Sequence, residues 1–343
     1  MIPERSPLRI LIVKLGAIGD VINTLPFLNA LRDALPSAHI AWVIEKKSFP
    51  ILEGHKALSE AILFPRETWV RDALRFVRSL RKARFDWVFD LQRILKSALI
   101  SCAAGGGTRF AFDRKRCKEF TWLFPAKRIP PCPAPRHMLD QYLEFAHCVG
   151  VPAGRPRWDI FVAPENERRA EQMLAGTAGR PIVLNLGASK RENLWMPERW
   201  ALLADELSRR HKVDIVLTGG PQDRMRAEKV LSLAVGRPVD LVGKTGLKDL
   251  ACVLRRAALV ISCDTGPLHL AVAMGSRVVG LYGPADPVRT GPYGSLEFVV
   301  QGPRGRGPMA EIGVEAVLAM AERCLATRAA GHCDQPGPAS SPR

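Results

Sequence analysis

A carboxylate follows two closely spaced glycines near the start of the chain. In KLGAIGDVIN (14–23), Gly16 and Gly19 precede Asp20, directly after a short apolar run. Glycine tolerates positive φ and lets another group approach the backbone closely. The sequence leaves two interpretations of Asp20 open. It either caps the following helix through the free N–H groups near Asn23, or it lies at the floor of a cleft as a general base.

A second group of polar residues follows an apolar run in ISCDTGPLHLAVAMG (261–275). Asp264, Thr265 and Gly266 form a turn, and a helical pattern with His269 in its first turn begins there. Free N–H groups at such a turn suit a phosphate, and the helix dipole adds to the attraction. The carboxylate suits a sugar hydroxyl. His269 is either a diphosphate contact or a structural histidine, and both interpretations stay open.

A third loop, in LNLGASKRENLWMPERW (184–200), also follows a predicted strand. Ala188 and Ser189 lie in its turn, and Lys190 and Arg191 supply two cations. Cations close to a phosphate form strong, charge-assisted hydrogen bonds. The loop is therefore either a clamp for a diphosphate or a solvated, charged segment.

The fourth loop, TGGPQDR (218–224), contains Asp223, which either meets a ribose or, as the favoured interpretation, caps a helix. Neither G-x-x-x-x-G-K-[ST] nor G-x-G-x-x-G occurs, so no P-loop and no standard dinucleotide fingerprint is predicted. A D-x-D loop and zinc-ligand spacing are missing too, so we expect no metal. The eight cysteines are scattered without a C-x-x-C pair, which favours reduced thiols in a cytosolic protein.

Short β-branched runs alternate with longer amphipathic segments, which predicts an α/β fold built on parallel sheets. The pattern occurs twice. In the first series the predicted strands are 10–15, 40–44, 61–64, 87–91 and 108–112, and the helices include 21–35 and 68–82. In the second series the predicted strands are 182–186, 213–218, 239–242, 259–263, 278–282 and 298–301, and the helices are 198–210, 224–234, 247–256, 268–274 and 312–326. Because ligands bind at the carboxyl ends of parallel strands, the four loops are expected to line a cleft.

A proline-rich, polar stretch separates the two series. We therefore expect one domain over 1–165, a second over 166–326, and a disordered tail over 327–343. No apolar run reaches the roughly 18 residues of a transmembrane helix, and a signal peptide is not predicted. The net charge of +16 favours an anionic partner, which could be nucleic acid, an acidic membrane or a phosphorylated substrate.

Two segments, ILIVKLGAIGDVINTLPFLNALR and SCDTGPLHLAVAMGSRVVGLYGPADP, resemble the ADP-heptose:lipopolysaccharide heptosyltransferases, which are glycosyltransferase family nine. FDLQRILKSAL, RHMLDQYLEF, NLWMPERWALLADEL and LTGGPQDR extend the resemblance over most of the chain. The resemblance implies a GT-B architecture, with two Rossmann-like domains facing each other across a cleft. It also implies transfer of L-glycero-D-manno-heptose from ADP-heptose to a Kdo or heptose of a lipid A-Kdo type glycolipid, with inversion and without a metal or other cofactor.

By this resemblance, Asp20 is the general base that takes the proton of the acceptor hydroxyl. The implied donor-binding residues are Ala188, Ser189, Lys190, Arg191, Asp223, Asp264, Thr265, Gly266 and His269. Many relatives have a lysine where this chain has Asn193. Either Lys190 or Arg191 of the third loop could therefore supply the cation that stabilises the leaving ADP.

The acceptor-binding residues expected from the resemblance lie in the first half: Gly16, Gly19, Gln92, Lys96, Arg116 and Lys118. Relatives usually read D-x-Q-G where this chain reads Asp90-Leu91-Gln92-Arg93. The additional arginine on the acceptor side could indicate a different acceptor.

Basic residues form one face of a predicted helix, at Arg71, Arg75, Arg78 and Lys82, and recur in FDRKRCKEF (112–120). They either face solvent or attract the protein to anionic lipid. We expect peripheral, salt-sensitive binding at the cytoplasmic face of the inner membrane. Only 7% of residues are aromatic and no nucleic-acid motif accompanies the basic runs, so no nucleic acid partner is expected.

Three alternatives remain at this point. A family member could use another nucleotide-sugar or a protein acceptor. A degenerate relative could bind the donor without chemistry. A protein of a different class could bind anions or nucleic acid non-catalytically, which only the net charge supports.

Overall fold

The computed structural model describes residues 7–131 and 136–327, so the predicted tail lies, apart from Thr327, outside the described residues. The first half forms a parallel six-stranded sheet in the order β3-β2-β1-β4-β5-β6. Its strands are β1 Arg9–Val13, β2 His39–Glu45, β3 Glu60–Phe64, β4 Trp87–Asp90, β5 Thr108–Ala111 and β6 Lys127–Arg128. Its helices are α1 Ile18–Ala34, α2 Trp69–Ala83, α3 Leu95–Ala103 and α4 Met138–Cys148.

The second half forms another parallel six-stranded sheet, in the order β12-β11-β10-β7-β8-β9. Its strands are β7 Ile182–Asn185, β8 Ile215–Thr218, β9 Val239–Asp240, β10 Leu259–Cys263, β11 Val278–Tyr282 and β12 Val299–Gln301. The helices of this half are α5 Pro164–Met173, α6 Pro197–His211, α7 Arg224–Leu233, α8 Leu247–Arg256, α9 Gly266–Ala273, α10 Pro287–Thr290 and α11 Val314–Ala326. The predicted α/β class with two parallel sheets is confirmed.

Alternate residues of the central strands pack on opposite faces of each sheet, as the period of two requires. In β1, Leu11 and Val13 pack with α2 and α3, whereas Ile10 and Ile12 pack with α1 and α4. In β10, Ile261 packs with α6, α7 and α11, whereas Val260 packs on the face covered by α8 and α9. Each sheet is therefore buried on both sides.

The helix layers of the two sheets also pack against each other. Helix α1 contacts α9, and one apolar cluster runs from the first sheet through these helices into the second. At the same seam, the buried Lys248 of α8 donates hydrogen bonds to the carbonyl oxygens of Glu53, at 2.9 Å, and Phe161. Burial lowers the pKa of Lys248 to about 8. The halves thus meet through apolar and polar contacts.

Helix α5 and strand β6 were not predicted. The boundary expected near 165 falls in the first turn of α5, whose sequence PENERRAEQM resembles a polar linker. Proline is also a favoured residue in a helical first turn, so that composition did not separate the two. Strand β6 consists of Lys127 and Arg128 alone, which offer no apolar pattern.

Candidate active site

Asp20 lies in the first turn of α1, three residues after Ala17, which precedes the helix. Its Oδ2 accepts a hydrogen bond from Nζ of Lys14 at 3.0 Å, and its Oδ1 accepts one from the hydroxyl of Tyr142 at 3.3 Å. The interpretation of Asp20 as a helix cap through Asn23 is therefore wrong, because the helix begins earlier. The Asp20 side chain remains 37% exposed while that of Lys14 is 2% exposed, so the carboxylate faces open space from a buried partner.

The ion pair determines the charge of Asp20. Burial raises the pKa of its carboxyl, but the charge and hydrogen bond of Lys14 outweigh burial, so the pKa lies below its ordinary value. Burial lowers the pKa of Lys14, and Asp20 in turn raises it above its ordinary value. Lys14 also lies 5.1 Å from the ring centre of Tyr142. Both groups are thus charged at neutral pH, and Asp20 is available as a proton acceptor.

A tight turn after β4 supports the end of β1 beneath this pair. Oδ1 of Asp90 accepts from the Gln92 N–H at 3.1 Å, and Oε1 of Gln92 accepts from the Leu15 N–H at 3.1 Å. Gln92, predicted to bind the acceptor, therefore contacts Leu15, next to Lys14 and just after β1. Arg93 closes the turn with φ of +69°.

The second turn lies at the carboxyl end of β10. Thr265 precedes α9, and its side chain forms no capping hydrogen bond, so the hydroxyl is not used by its own helix. Burial raises the pKa of the adjacent Asp264 carboxyl to about 6. The hydroxyl of Tyr282 and the charge of Lys190 oppose that rise, as does the charge of Arg289. Asp264 thus lies among cations of the loop after β7 and of α10.

His269 meets the first half of the chain directly. A β-carbon on Gly19 would lie 2.5 Å from Cδ2 of His269, and one on Gly266 would lie 3.0 Å from Cβ of Ile18. Burial lowers the pKa of His269 to about 4, so the imidazole is neutral. The amino-terminal turns of α1 and α9 therefore face each other, which brings Asp20 and the Asp264 turn to one gap.

Gly16 and Gly19 do not play the part that the sequence suggested for them. Neither Gly16 nor Gly19 has positive φ. The space beside Gly19 is filled by the ring of His269, which argues against acceptor approach at that point. Gly16 is open to a β-carbon, whose nearest contact would be Oγ of Ser48 at 3.6 Å.

Two of the predicted ligand contacts are engaged by the protein itself. Asp223 is buried, and its carboxylate accepts from the Gly220 N–H at 2.9 Å and pairs with Arg226 at 2.8 Å. Its role in the structure is to hold its own loop, which argues against a ribose contact. Asp223 does occupy the N-cap position of α7, as predicted, but its side chain makes no capping hydrogen bond there and instead closes the preceding turn through Gly220.

Arg116, predicted to bind the acceptor, is also engaged. Its guanidinium pairs with Asp113 and with Glu144, the latter at 2.6 Å, and donates to the carbonyl oxygen of Pro130 at 2.9 Å. Two carboxylates neutralise its charge, which argues against acceptor binding. By contrast, Lys118 is exposed and its backbone N–H donates to the Arg93 carbonyl at 3.2 Å.

The remaining predicted residues lie at the rim. Lys96 is 4.0 Å from Glu45, an ion pair at the edge of the first sheet. In the loop after β7, Ala188 is half-buried, whereas Ser189, Lys190 and Arg191 are exposed. Ser189, Lys190 and Arg191 are therefore accessible to a ligand in the cleft.

The asparagine at the usual lysine position is buried beside that loop. Within the described residues, Oδ1 of Asn193 has no hydrogen-bond partner. Nζ of Lys190 lies 3.3 Å from Oε1 of Glu192. The charges of Lys190 and of Arg289 in α10 also lower the pKa of the Asp264 carboxyl. Lys190 and Arg289 thus place positive charge beside Asp264, where Asn193 supplies none.

Sequence reasoning did not assign four residues of the site: Lys14, Arg93, Tyr142 and Arg289. Lys14 lies inside the motif around Asp20, and Tyr142 lies in RHMLDQYLEF, so both were inside segments already singled out. Tyr142 contacts Asp20 across 122 positions of sequence, a contact that local patterns do not reveal.

Within the described ranges, no group of three or more His, Cys, Asp or Glu residues is arranged to hold a metal ion. In the same part of the chain, no helix has the length and apolarity needed to span a bilayer.

Two parallel sheets that face each other across such a gap form the GT-B architecture. The structure of E. coli heptosyltransferase WaaC with ADP superimposes with a TM-score of 0.75 at 26% identity, covering 92% of this chain and all of that one. The family model for glycosyltransferase family 9 (heptosyltransferase) matches residues 73–315. The chain belongs to glycosyltransferase family 9, and it is a glycosyltransferase.

Curated relatives agree with that membership. The lipopolysaccharide core heptosyltransferase OpsX of Haemophilus influenzae is 28% identical over 86% of this chain and 84% of its own length. Lipopolysaccharide heptosyltransferase 1 of Escherichia coli is 29% identical over 87% of this chain and 94% of its own length.

Proposed function

We propose that this enzyme transfers L-glycero-D-manno-heptose from ADP-heptose to a Kdo or heptose in the inner core of lipopolysaccharide, with inversion. The observation that carries the proposal is the approach of Asp20 to the turn formed by Asp264, Thr265 and Gly266. The lipopolysaccharide heptosyltransferases among the relatives and the ADP complex of WaaC support the choice of substrates.

Asp20 accepts the proton of the acceptor hydroxyl in the proposed reaction. The hydroxyl oxygen attacks the anomeric carbon from the face opposite ADP, and the bond from that carbon to the phosphate oxygen breaks, which inverts the configuration. Lys14 keeps Asp20 ionised before the attack. Tyr142 donates a hydrogen bond to the other carboxylate oxygen and so fixes its orientation. General base catalysis of this kind contributes about 10²- to 10⁴-fold in rate.

The leaving ADP carries negative charge that the second half must stabilise. The amino terminus of α9 offers free N–H groups, and the neutral His269 can donate one hydrogen bond to the diphosphate. Lys190 and Arg289 take the role of the usual lysine at Asn193. Fixed cations and backbone dipoles of this kind stabilise developing charge, and the proposed reaction uses them in place of a metal.

The main alternative is a different nucleotide-sugar donor or a different acceptor with the same glycosyl transfer. It is supported by two residues that differ from the family pattern, Asn193 in the second half and Arg93 in the first. A panel of ADP-, UDP- and GDP-linked sugars, with release of each nucleoside diphosphate as readout, distinguishes it. Turnover of another donor faster than ADP-heptose would replace the proposed donor.

Binding to the cytoplasmic face of the inner membrane is part of the proposal. On α2, Val70 is 98% and Leu74 is 71% exposed, and exposed Arg75 and Arg78 share the helix with them. An amphipathic helix with apolar and basic residues exposed together suits an anionic bilayer surface. Such binding would hold the protein beside a glycolipid acceptor.

Vesicles test the membrane contact. We expect sedimentation with phosphatidylglycerol vesicles but not with neutral phosphatidylcholine vesicles, and loss of sedimentation in Arg75→Glu/Arg78→Glu. The control is Arg209→Glu on α6, an exposed arginine of the other half. Equal binding of both variants would contradict a role for α2.

The decisive experiment for the reaction uses Asp20→Asn with purified full-length protein, ADP-heptose and truncated core acceptors, read by mass. We expect transfer to fall at least about 10²-fold, while ADP binding by calorimetry stays within about twofold because Asp20 contacts the acceptor, not ADP, in the proposed reaction. Asp33→Asn, an exposed residue of the same helix, is the control. Normal transfer by Asp20→Asn would refute the assigned base.

A further inference from the structure

Arg93 has a backbone conformation that favours glycine. Its φ is +69°, in the left-handed region where a β-carbon is strained. The turn that imposes this angle is fixed by the hydrogen bonds of Asp90 and Gln92. The D-x-Q-G pattern has glycine here, so this chain keeps the turn and adds a long cationic side chain at a conformational cost. A strained residue that persists beside an active site indicates a function for its side chain.

The side chain of Arg93 packs against Phe112 and Met138, close to the residues around Asp20. Its Cζ lies 5.1 Å from the ring centre of Phe112, and Nη2 lies 3.7 Å from Sδ of Met138. The ring of Phe112 packs on Tyr142, which itself donates a hydrogen bond to Asp20. The positive charge of Arg93 also acts on Asp20 and helps to lower the pKa of that carboxyl.

Arg116 provides an internal comparison, because it stacks on the same ring at 5.2 Å. Asp113 and Glu144 neutralise it. Across residues 7–131 and 136–327, Arg93 forms no ion pair with a carboxylate within 4.0 Å. Arg116 is thus neutralised by direct ion pairs, whereas Asp20 attracts Arg93 only from beyond ion-pair distance.

Lys118 adds a second cation at the same place, and Asp20 likewise acts on it only from a distance. Its N–H bonds the carbonyl oxygen of Arg93, which ties the two residues together. The side chain is exposed and, in the described part of the chain, lacks a carboxylate partner at ion-pair distance. Burial lowers the pKa of Lys118, and the nearby charge of Arg93 lowers it further. Two adjacent like charges repel, so an anion bound between them would be strongly favoured.

We propose that Arg93 and Lys118 form a subsite for an anionic group on the acceptor, next to the hydroxyl that Asp20 deprotonates. The inference rests on the proposed function and specifies its acceptor. The ligand chemistry is a planar or tetrahedral oxyanion, which guanidinium binds through paired N–H donors. Its source is either the carboxylate of an ulosonic acid or a phosphate ester on the sugar.

Arg93→Gly tests the subsite without strain, because glycine suits the φ of this position. Arg84→Gly is the matched control. Arg84 also has positive φ, at +47°, but it is an exposed residue that ends α2 at the opposite edge of the sheet, before β4 begins. Lys118→Met is the second variant. Circular dichroism and ADP binding establish that all three variants fold.

The assay measures KM and kcat with four core acceptors: one carrying both carboxylate and phosphate, one with the carboxyl reduced to an alcohol, one without phosphate, and one without either group. We expect Arg93→Gly to raise KM for the anionic acceptor about 10- to 100-fold, with KM for ADP-heptose unchanged. On the acceptor without the recognised anion, Arg93→Gly and wild type should be equal. The single-group acceptors identify which anion is bound.

Two results would overturn the subsite. In one, Arg93→Gly matches Arg84→Gly on the fully anionic acceptor. In the other, Arg93→Gly loses the same factor on all four acceptors, which indicates a structural role. Failure of the proposed function has a different signature, because wild-type protein would then transfer no heptose from ADP-heptose to any acceptor.

Discussion

Replacing Gly19 by alanine tests whether the reaction needs the two halves to close on each other. The added β-carbon would lie 2.5 Å from Cδ2 of His269. Carbon atoms in contact prefer about 3.5 Å or more, so the imidazole or the α1–α9 pair must move by about 1 Å. Overpacking of this kind costs about 1–3 kcal/mol. Alanine recovers about 0.5–1 kcal/mol as a better helix former than glycine. The overpacking cost and the gain in helix propensity oppose each other. The free energy of unfolding should therefore fall by only about 0–2.5 kcal/mol.

The rate of transfer should respond far more strongly than the stability. A misplacement of about 1 Å between reacting groups can cost on the order of 10²-fold in rate. Single-turnover transfer with saturating ADP-heptose and acceptor measures that rate, and urea denaturation measures the stability. Gly313→Ala is the control, since φ is −76° there and a β-carbon would meet no atom within 4 Å.

A double-mutant cycle with His269→Ala localises the effect of Gly19→Ala. Removing the ring should relieve the clash, so the stability loss of Gly19→Ala should disappear in the His269→Ala background. The reasoning is refuted if Gly19→Ala transfers heptose as fast as Gly313→Ala and wild type. In that case the contact of α1 with α9 does not govern the distance between base and donor.

Other perturbations have equally definite directions. Lys14→Met removes the cation that holds the pKa of Asp20 down, so the acid limb of the pH–rate profile should move to higher pH; an unchanged limb would exclude Asp20 as the titrating base. Asp264→Ala should weaken ADP binding by calorimetry about 10-fold or more, as loss of a charge-assisted contact, and unchanged affinity would exclude a donor contact. Lys248 has a folded pKa of about 8, below the ordinary value of 10.5. Between these values the unfolded chain binds a proton that the folded chain lacks, so this lysine increases stability as pH rises from about 8 to 10.5. Urea denaturation should give a stability difference, wild type minus Lys248→Met, that grows over that range; a constant difference would contradict the role of burial.

The sequence predicted elements best where an apolar run has clear turn residues at both ends. Strands β10 and β11 and helix α8 have the predicted bounds. Helix α1 begins at Ile18 rather than at the predicted residue 21, because glycines near a strand end look like loop residues. In the structure Gly19 lies inside the helix, where its lack of a side chain admits His269. That error in the helix start produced the wrong interpretation of Asp20 as a cap.

The residues around Asp20 were less accessible to sequence reasoning than Asp20 itself. Whether a basic residue is free or neutralised depends on partners that only the fold brings near. Arg116 looked like an acceptor contact, but Glu144 reaches it from a different element, 28 positions further along the chain. Arg93 was noticed as a departure from a pattern, yet its positive φ and its place on Phe112 required the structure.

The apolar cluster that continues from one sheet to the other affects how each half would behave when produced alone. Leucine- and valine-rich faces of α1 and α9 cover each other. Either half produced alone would present one of those faces to water, and an exposed apolar area of that kind promotes self-association. Isolated halves are thus expected to dimerise or precipitate unless the complementary half is co-expressed to restore the shared core.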